Sequence, residues 1–376
     1  MVKPMQNFWE KLPKPFFVMA PLANVTDAAF RRIIAKYSKP LGPDVMYTEF
    51  VSADGLARAS DEGKQKLMRD LLFTDAERPI VAQFFSASPE YIEHAAKLAQ
   101  ELGFDGVDIN MGCPDKTIEK QGAGAKLILA PKRARELIEA AKRGAPNIPV
   151  SVKTRVGYNL DVLDEWLPEL LQAEPSVVIV HARTRKEMSL VPARWERVKR
   201  AVEIRDEMKS KTLIVGNGDL TDISDAKAKV EASGADGAML GRAIFGRPWL
   251  FAEAAPQSTL MRHDSAESAE EKLKQIVWPR LADRAIVGER GDLRTFVEAF
   301  PRETGRLYIA IEHTKLFEEL LGDIKNFAIM KKHFKAYVEG FPGAKELRVQ
   351  LMETKNAAEV ENLIEDFVLM PYTGDI

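Results

Sequence analysis

"FFVMAPLANVTD", residues 16–27, opens on five consecutive apolar residues and then turns polar without a glycine. An apolar run of this length reads as a strand covered on both faces. A doubly wound open sheet would follow its first strand with a glycine-rich phosphate turn. The residues after Ala20 offer no such turn. Another architecture must cover both faces, and the next 230 or so residues supply its rhythm.

Seven further runs repeat the pattern: "VMYTEF" (45–50), "IVAQFF" (80–85), "GVDINMG" (106–112), "PVSVKTRV" (149–156), "VVIVHART" (177–184), "LIVGNGD" (213–219) and "GAMLGRAIF" (237–245). Segments of helical length lie between them. Thr26 can cap a helix over 27–37. In 89–102, Tyr91, Ile92, Ala95, Ala99 and Leu102 recur at helical spacing. Pro131 suits the first turn of a helix over 131–143, and Gly144 suits its end. Eight strand–helix pairs across residues 16–250 predict an α/β fold of the (β/α)8 TIM barrel type, for which about 250 residues is typical. The pattern lapses over 251–265. A charged stretch of helical character (265–290) follows, then helical spacing over 303–340 and 344–367, broken by "GFPG" (340–343). Residues 1–252 are therefore assigned to the barrel and 253–376 to a smaller all-helical C-terminal domain.

Composition narrows the function classes. The 376 residues are 45% apolar and 29% charged, with a net charge of −2, so any nucleic-acid surface must be a local patch. A single cysteine excludes an intramolecular disulfide and an all-cysteine metal site, and it fits a reducing compartment. "MVKPMQNFWEKLPKP" (1–15) lacks the apolar segment of a signal peptide, and no apolar run approaches the ~18–20 residues of a membrane helix. The expectation is a cytoplasmic protein with no membrane partner. No two histidines have metal-ligand spacing, so no metal is expected.

In a barrel of this kind, chemistry sits at the C-terminal ends of the strands. Each run carries a polar outlier at that end: Asn24, Glu49, Gln83, Asn110 with Cys113, Lys153 with Arg155, His181 with Arg183, Asn217 with Asp219, and Gly241 with Arg242. Together they would form one pocket. "GNGDLTD" (216–222) and "GRAIFG" (241–246) place glycines ahead of expected helix N-termini, where backbone N–H groups can hold a phosphate. The competing reading is a pair of tight turns. Lys153 could stabilise negative charge on a reduced heterocycle. His181 is the only histidine on an expected strand; His94, His263, His313 and His333 read as surface or packing residues. Cys113 is either a small buried apolar side chain or a general acid. A thiol of pKa near 8.5 holds its proton at neutral pH, and a nucleophilic role would need a base beside it.

"APLANVTDAAFR", "NMGCP", "KQGAGA", "VKTR", "HARTR", "NGD" and "GRAIFGRPW" together resemble the tRNA-dihydrouridine synthases, in order across residues 16–250. The likeness resumes in "MKKHFKAYVEGFPGAKELR" (330–348). The resemblance implies an FMN-bound barrel that reduces the 5,6 double bond of selected uridines in tRNA, with NADPH as electron donor. By position it makes Cys113 the proton donor to uracil C5 while reduced flavin delivers hydride to C6. Pro21, Leu22 and Ala23 would line the flavin ring, and Gln83, Lys153 and His181 would contact it. Asn217, Gly218, Asp219, Gly241 and Arg242 would hold its phosphate end, and Asn110 and Arg183 would face the uracil. The chain departs from the family pattern at three places. Leu22 and Asn24 stand in a segment that usually reads "APMAG". "QFFSAS" (83–88) lacks the usual glycine. The stretch 264–305 reads as longer than in typical bacterial members.

For tRNA, two segments are basic. Residues 183–200 hold seven Lys/Arg and two Glu, a net +5, and 325–348 hold six Lys/Arg and two Glu, a net +4. Lys331, Lys332 and Lys335 are the expected phosphate contacts, with Phe327, Phe334, Tyr337 and Phe341 interleaved. The competing reading turns those aromatics into a core. Two functional alternatives stay open. One is an FMN-dependent reductase of a free pyrimidine, like a dihydroorotate dehydrogenase. The other is a non-catalytic RNA-binding barrel.

Overall fold

Eight parallel strands make one sheet in the computed structural model, which describes residues 7–253 and 301–369. They are β1 (Phe16–Met19), β2 (Met46–Ser52), β3 (Ile80–Phe85), β4 (Gly106–Met111), β5 (Val150–Gly157), β6 (Val177–Thr184), β7 (Leu213–Asn217) and β8 (Gly237–Leu240). From β2 to β8 each pairs with its sequence neighbours, and β1 pairs with β8. β1 and β2 complete the ring through a single bridge, Val18–Val45, with Met19 N–H donating to the Val45 carbonyl at 3.0 Å. The sheet is thus a (β/α)8 barrel rather than an open fan.

The helices that cover it are α1 (Ala28–Ser38), α2 (Ala53–Arg58), α3 (Asp61–Asp70), α4 (Pro89–Glu101), α5 (Lys116–Lys120), α6 (Pro131–Gly144), α7 (Leu163–Leu171), α8 (Trp195–Glu207) and α9 (Ile223–Ser233). Some helix ends differ from the sequence expectation. Asp27, not Thr26, caps α1, accepting from Phe30 N–H at 3.0 Å. The Thr26 hydroxyl instead accepts from Leu22 N–H at 2.9 Å and shapes the loop before the helix. α4 buries Ile92, Ala95, Ala96 and Ala99, while Leu102 lies past its end and is exposed. α6 does end at Gly144, as expected, though not by a left-handed turn, and a Cβ there would lie 2.1 Å from the Glu93 carbonyl of α4. Directly after β8 comes a 3-10 turn, Arg242–Ile244, so "GRAIFG" itself opens no α-helix.

Side chains on one face of a strand alternate, so the barrel interior is read at every second residue. At the N-terminal end it is apolar: Phe16, Val18, Val45, Val81, Val177, Ile179, Val215 and Met239 form one buried cluster. Trp9 joins them from a 3-10 turn, Phe8–Lys11, with Phe8 and Leu12 packed alongside. Two residues beyond Val81, Ile179 and Val215 the same face turns polar, at Gln83, His181 and Asn217. That switch creates the site.

The chain divides into two compact units, residues 1–35 with 39–243, and 36–38 with 244–376. The division lies ahead of the 252/253 boundary expected from sequence. The second unit contains α10 (Pro301–Leu321), α11 (Lys331–Tyr337), α12 (Ala344–Leu351) and α13 (Ala357–Leu369). The expected helical stretch at 265–290 lies outside the described residues. His313 and His333 are packing residues: both are fully buried, their rings meet edge-on at 4.5 Å, and burial holds both neutral, His333 at about 3.

Candidate active site

The polar ends of the inward-facing rows meet in one cleft of about 300 Å³ at the C-terminal mouth of the barrel. β4 brings Asn110, Gly112 and Cys113, and β5 brings Lys153 and Arg155. β6 brings His181 and Arg183, and β7 leads into Asn217–Leu220. Ala20–Ala23 follow β1, and Gly241 and Arg242 follow β8. Of the residues expected at the site, Cys113, Asn110, Pro21, Leu22, Ala23 and Lys153 line this cleft. So do His181, Arg183, Asn217, Gly218, Asp219, Gly241 and Arg242.

Gln83 does not. It is fully buried, because its register partner across β3 and β4 is Asp108 and its amide is drawn down to that carboxylate at 2.6 Å. Asn24 and Glu49 are also absent from the lining. Glu49 accepts the Asn24 backbone N–H and so ties the tip of β2 to the first loop. Asn24 has φ +53°, a conformation that asparagine tolerates well. Lys331, Lys332 and Lys335 lie on α11 in the second unit.

Charge in the cleft is lopsided. Lys153, Arg155, Arg183 and Arg242 face a single lining carboxylate, Asp219. Burial would raise Asp219, but hydrogen bonds from Arg183 and Ala193 N–H hold it below its usual value. Arg242 reaches its other oxygen at 2.8 Å and remains two-thirds exposed. Lys153 donates to Asn217 Oδ1 at 3.2 Å, and Asn217 Nδ2 donates to the Met239 carbonyl at 2.7 Å. Burial, reinforced by Arg155, lowers Lys153 to about 8. Burial and the surrounding cations push His181 well below its ordinary value, so the ring is neutral. Arg183 Nη1 lies 3.2 Å from His181 Nε2. A guanidinium can only donate, so Nε2 accepts and the proton sits on Nδ1.

Cys113 stands where the cleft wall meets a small apolar cluster of Phe85, Ile118 and Ala123. Its thiol is half-buried and lines the cleft, so it is not simply a buried packing residue. Burial pushes the thiol pKa up, which keeps the sulfur protonated at neutral pH. The loop beyond closes back on it: Ala125 N–H donates to the Cys113 carbonyl at 2.9 Å. Gly124, at φ +61°, permits that approach, since a Cβ would lie 2.7 Å from the same carbonyl oxygen. Arg155, named from sequence without a role, secures the other side. Its Nε donates to the Gly112 carbonyl at 2.8 Å, and Nη1 donates to the Thr184 and Met188 carbonyls.

Sequence reading missed the layer beneath. Asp108 and Ser151 lie one inward step below Asn110 and Lys153, both buried, with Ser151 Oγ donating to Asp108 Oδ1 at 2.6 Å. Stepping back two residues along each strand from the outliers would have found them. The basic stretch 183–200 also changes character. Arg183, Arg185, Arg194, Arg197 and Arg200 are paired with Asp219, Glu119, Glu187, Asp161 and Asp164. Acids remote in sequence therefore neutralise most of it.

The family model for dihydrouridine synthase (Dus) matches residues 18–370. The chain belongs to the dihydrouridine synthase family. "Probable tRNA-dihydrouridine synthase" from Staphylococcus aureus (strain MRSA252) is 35% identical over 364 residues, 96% of each chain. "Probable tRNA-dihydrouridine synthase 2" from Bacillus subtilis (strain 168) is 36% identical over 363 residues, 96% of this chain and 97% of that one.

Proposed function

We propose that the chain is an FMN-dependent tRNA-dihydrouridine synthase that reduces the 5,6 double bond of uridines in tRNA, with NADPH as the source of electrons. The observation that carries the reading is a protonated lone thiol on the wall of a cationic barrel-mouth cleft. The cytoplasm is the compartment that offers these substrates. Among the described residues no helix is long and apolar enough to cross a membrane, and no cluster of side chains is arranged to hold a metal ion.

The residues fit FMN. A Cβ at Gly241 would come no closer than 3.6 Å to Ala20, so internal packing does not require glycine there, and the space belongs to the cleft. The excess of cations suits a phosphate ester. Asn217–Asp219 with Gly241 and Arg242 would hold the phosphate end. Pro21–Ala23, Lys153 and His181 would border the ring system. When bound, FMN supplies the hydride that uracil C6 receives.

The protein supplies the proton. Cys113 Sγ–H gives it to C5, and the thiolate left behind faces Lys153 and Arg155, which favour its charge. Water then returns a proton to the sulfur. Lys153 also offers a positive charge to an electron-rich ligand, while neutral His181 and its Nδ1 proton serve as a hydrogen-bond donor. The target uridine must leave its stack to enter a cleft this narrow. Exposed Met188, Leu190 and Val191, which flank the cleft residue Ser189, offer apolar surface to the neighbouring bases. In the second unit, Lys332 and Lys335 are exposed and Lys331 is partly so. They would meet RNA phosphates.

The test is to incubate the chain, FMN and NADPH with unmodified tRNA and to map dihydrouridine. Product is expected, and Cys113→Ala should lose roughly 10²–10⁴-fold of the rate while keeping FMN. Reduction of free uridine with none in tRNA would favour the free-pyrimidine reading. A colourless protein that does not take up FMN would favour the non-catalytic one.

A further inference from the structure

We propose that Asp108 is a positioning residue, which fixes the backbone carrying Cys113 through a one-way chain of buried amides. The inference rests on the role given to Cys113 above. Asn110 Oδ1 accepts from the backbone N–H groups of Gly112 at 3.1 Å and Cys113 at 2.8 Å. Asn110 Nδ2 donates to Gln83 Oε1 at 3.0 Å, and Gln83 Nε2 donates to Asp108 Oδ2 at 2.6 Å. The direction is forced. Backbone N–H groups only donate, so the atom facing them is the Asn110 oxygen. Its nitrogen must then meet an oxygen of Gln83, whose nitrogen must meet an acceptor. Asp108 closes the series.

The far side of Asp108 is anchored in the barrel. Ser151 Oγ donates to Asp108 Oδ1 and lies 3.2 Å from Tyr47 Oη. Gln83, Asp108 and Tyr47 are fully buried, and none of them lines the cleft. Strands β6–β8 fill the same interior with Ile179, Val215 and Met239. A carboxyl there is costly: burial raises Asp108 to about 7 even with Lys153 nearby. An apolar residue would fill the space at lower cost. What only an acceptor provides is the fixed polarity of the chain, and hence a fixed orientation of Asn110 under the Cys113 turn.

Polarity can be reversed by design. Asn110→Asp keeps an acceptor for Cys113 N–H but removes the donor to Gln83. If Gln83 then flips to donate upward, its oxygen faces the Asp108 carboxylate. Combining Asp108→Asn with Asn110→Asp lets the new amide at position 108 donate to Gln83 Oε1. Gln83 Nε2 then donates to the new carboxylate at position 110. Net charge is conserved but moves to position 110, where an oxygen still accepts from Cys113 N–H as it does in the single variant. Two readouts apply: kcat for dihydrouridine formation, and the pH profile of Cys113 alkylation by iodoacetamide, which is unambiguous because the chain has one thiol.

Asn110→Asp is expected to lower kcat by roughly tenfold or more and to shift the alkylation profile. The double variant should recover most of both. Recovery through a residue that does not reach the cleft would separate positioning from substrate contact. Should Asn110→Asp not fold, Gln83→Glu is the substitute: it sets two carboxylates against each other, and Asp108→Asn should relieve it. A double variant no better than the corresponding single one, in alkylation as in kcat, overturns the proposal. The alkylation readout needs no RNA, so it still reports on the relay if the wild-type chain makes no dihydrouridine.

Discussion

Lys153 carries a charge that the fold compensates only in part. Burial and Arg155 work against the ammonium, and Asp108 and Cys113 work for it, leaving its pKa at about 8. A positive charge useful to the reaction is present below that value and lost as pH rises through it. An anionic ligand beside the lysine shifts the limb upward. The kcat profile should therefore be level near neutrality and descend at or above pH 8. His181 is neutral throughout and adds no limb of its own. Lys153→Gln should be slower and lack the descent near pH 8, as single-turnover rates across pH 6–9, below the ionisation of the Cys113 thiol, would reveal. The same descent in the variant would remove Lys153 from the reaction. Lys153 and His181 were legible in the sequence because each stands near the C-terminal end of a strand-like run, where a barrel gathers its site. Asp108 was not, because in "GVDINMG" an acid one inward step below Asn110 looks like part of the same polar tip. Gln83 read as a lining residue, since nothing local reveals that its cross-strand partner is a carboxylate.

Elements were easier to read than their ends. All eight strands coincide with the apolar runs, because a strand sandwiched between barrel interior and helices must be apolar on both faces. Caps depend on which of two adjacent side chains the loop consumes, and so Thr26 and Asp27 exchanged roles. Gly144 shows the same limit. Its reason lies in another helix, α4, whose Glu93 carbonyl it approaches, and whose Ala95, Ala96 and Ala99 keep that face thin. On α6, Ala140 and Ala141 match them, and Arg143 Nε donates to Glu93 Oε2 at 3.0 Å. A methyl group at 144 would force the pair apart. Gly144→Ala should cost about 1–3 kcal/mol despite alanine's better helix propensity. Urea unfolding would measure it, and activity per folded molecule should stay unchanged because neither helix borders the cleft. A stabilised variant would mean that the approach to Glu93 does not require glycine at 144.

At the scale of the whole molecule, charge was the least legible property. Two basic segments looked alike in sequence, with net charges of +5 and +4. In the first, Arg194 pairs with Glu187 of the same stretch, and Arg197 and Arg200 form a lattice with Asp161 and Asp164, which lie outside it. In the second, the aromatics turn inward: Phe334 and Tyr337 are fully buried and Phe341 nearly so, which leaves them unable to stack on bases. Lys331, Lys332 and Lys335 make no ion pair among the described residues, so their charge is available to a polyanion. Neutralised arginines release no counterions on binding RNA, whereas free lysines do, with a salt slope of roughly 0.7–0.9 per phosphate engaged. Replacing Lys331, Lys332 and Lys335 together by Gln should weaken tRNA binding and flatten the plot of log Kd against log salt by about two to three units. Replacing Arg194, Arg197 and Arg200 by Gln should leave that slope almost untouched while lowering stability. Filter binding between 50 and 300 mM salt measures both, and an unchanged slope in the lysine variant would take α11 out of the RNA interface.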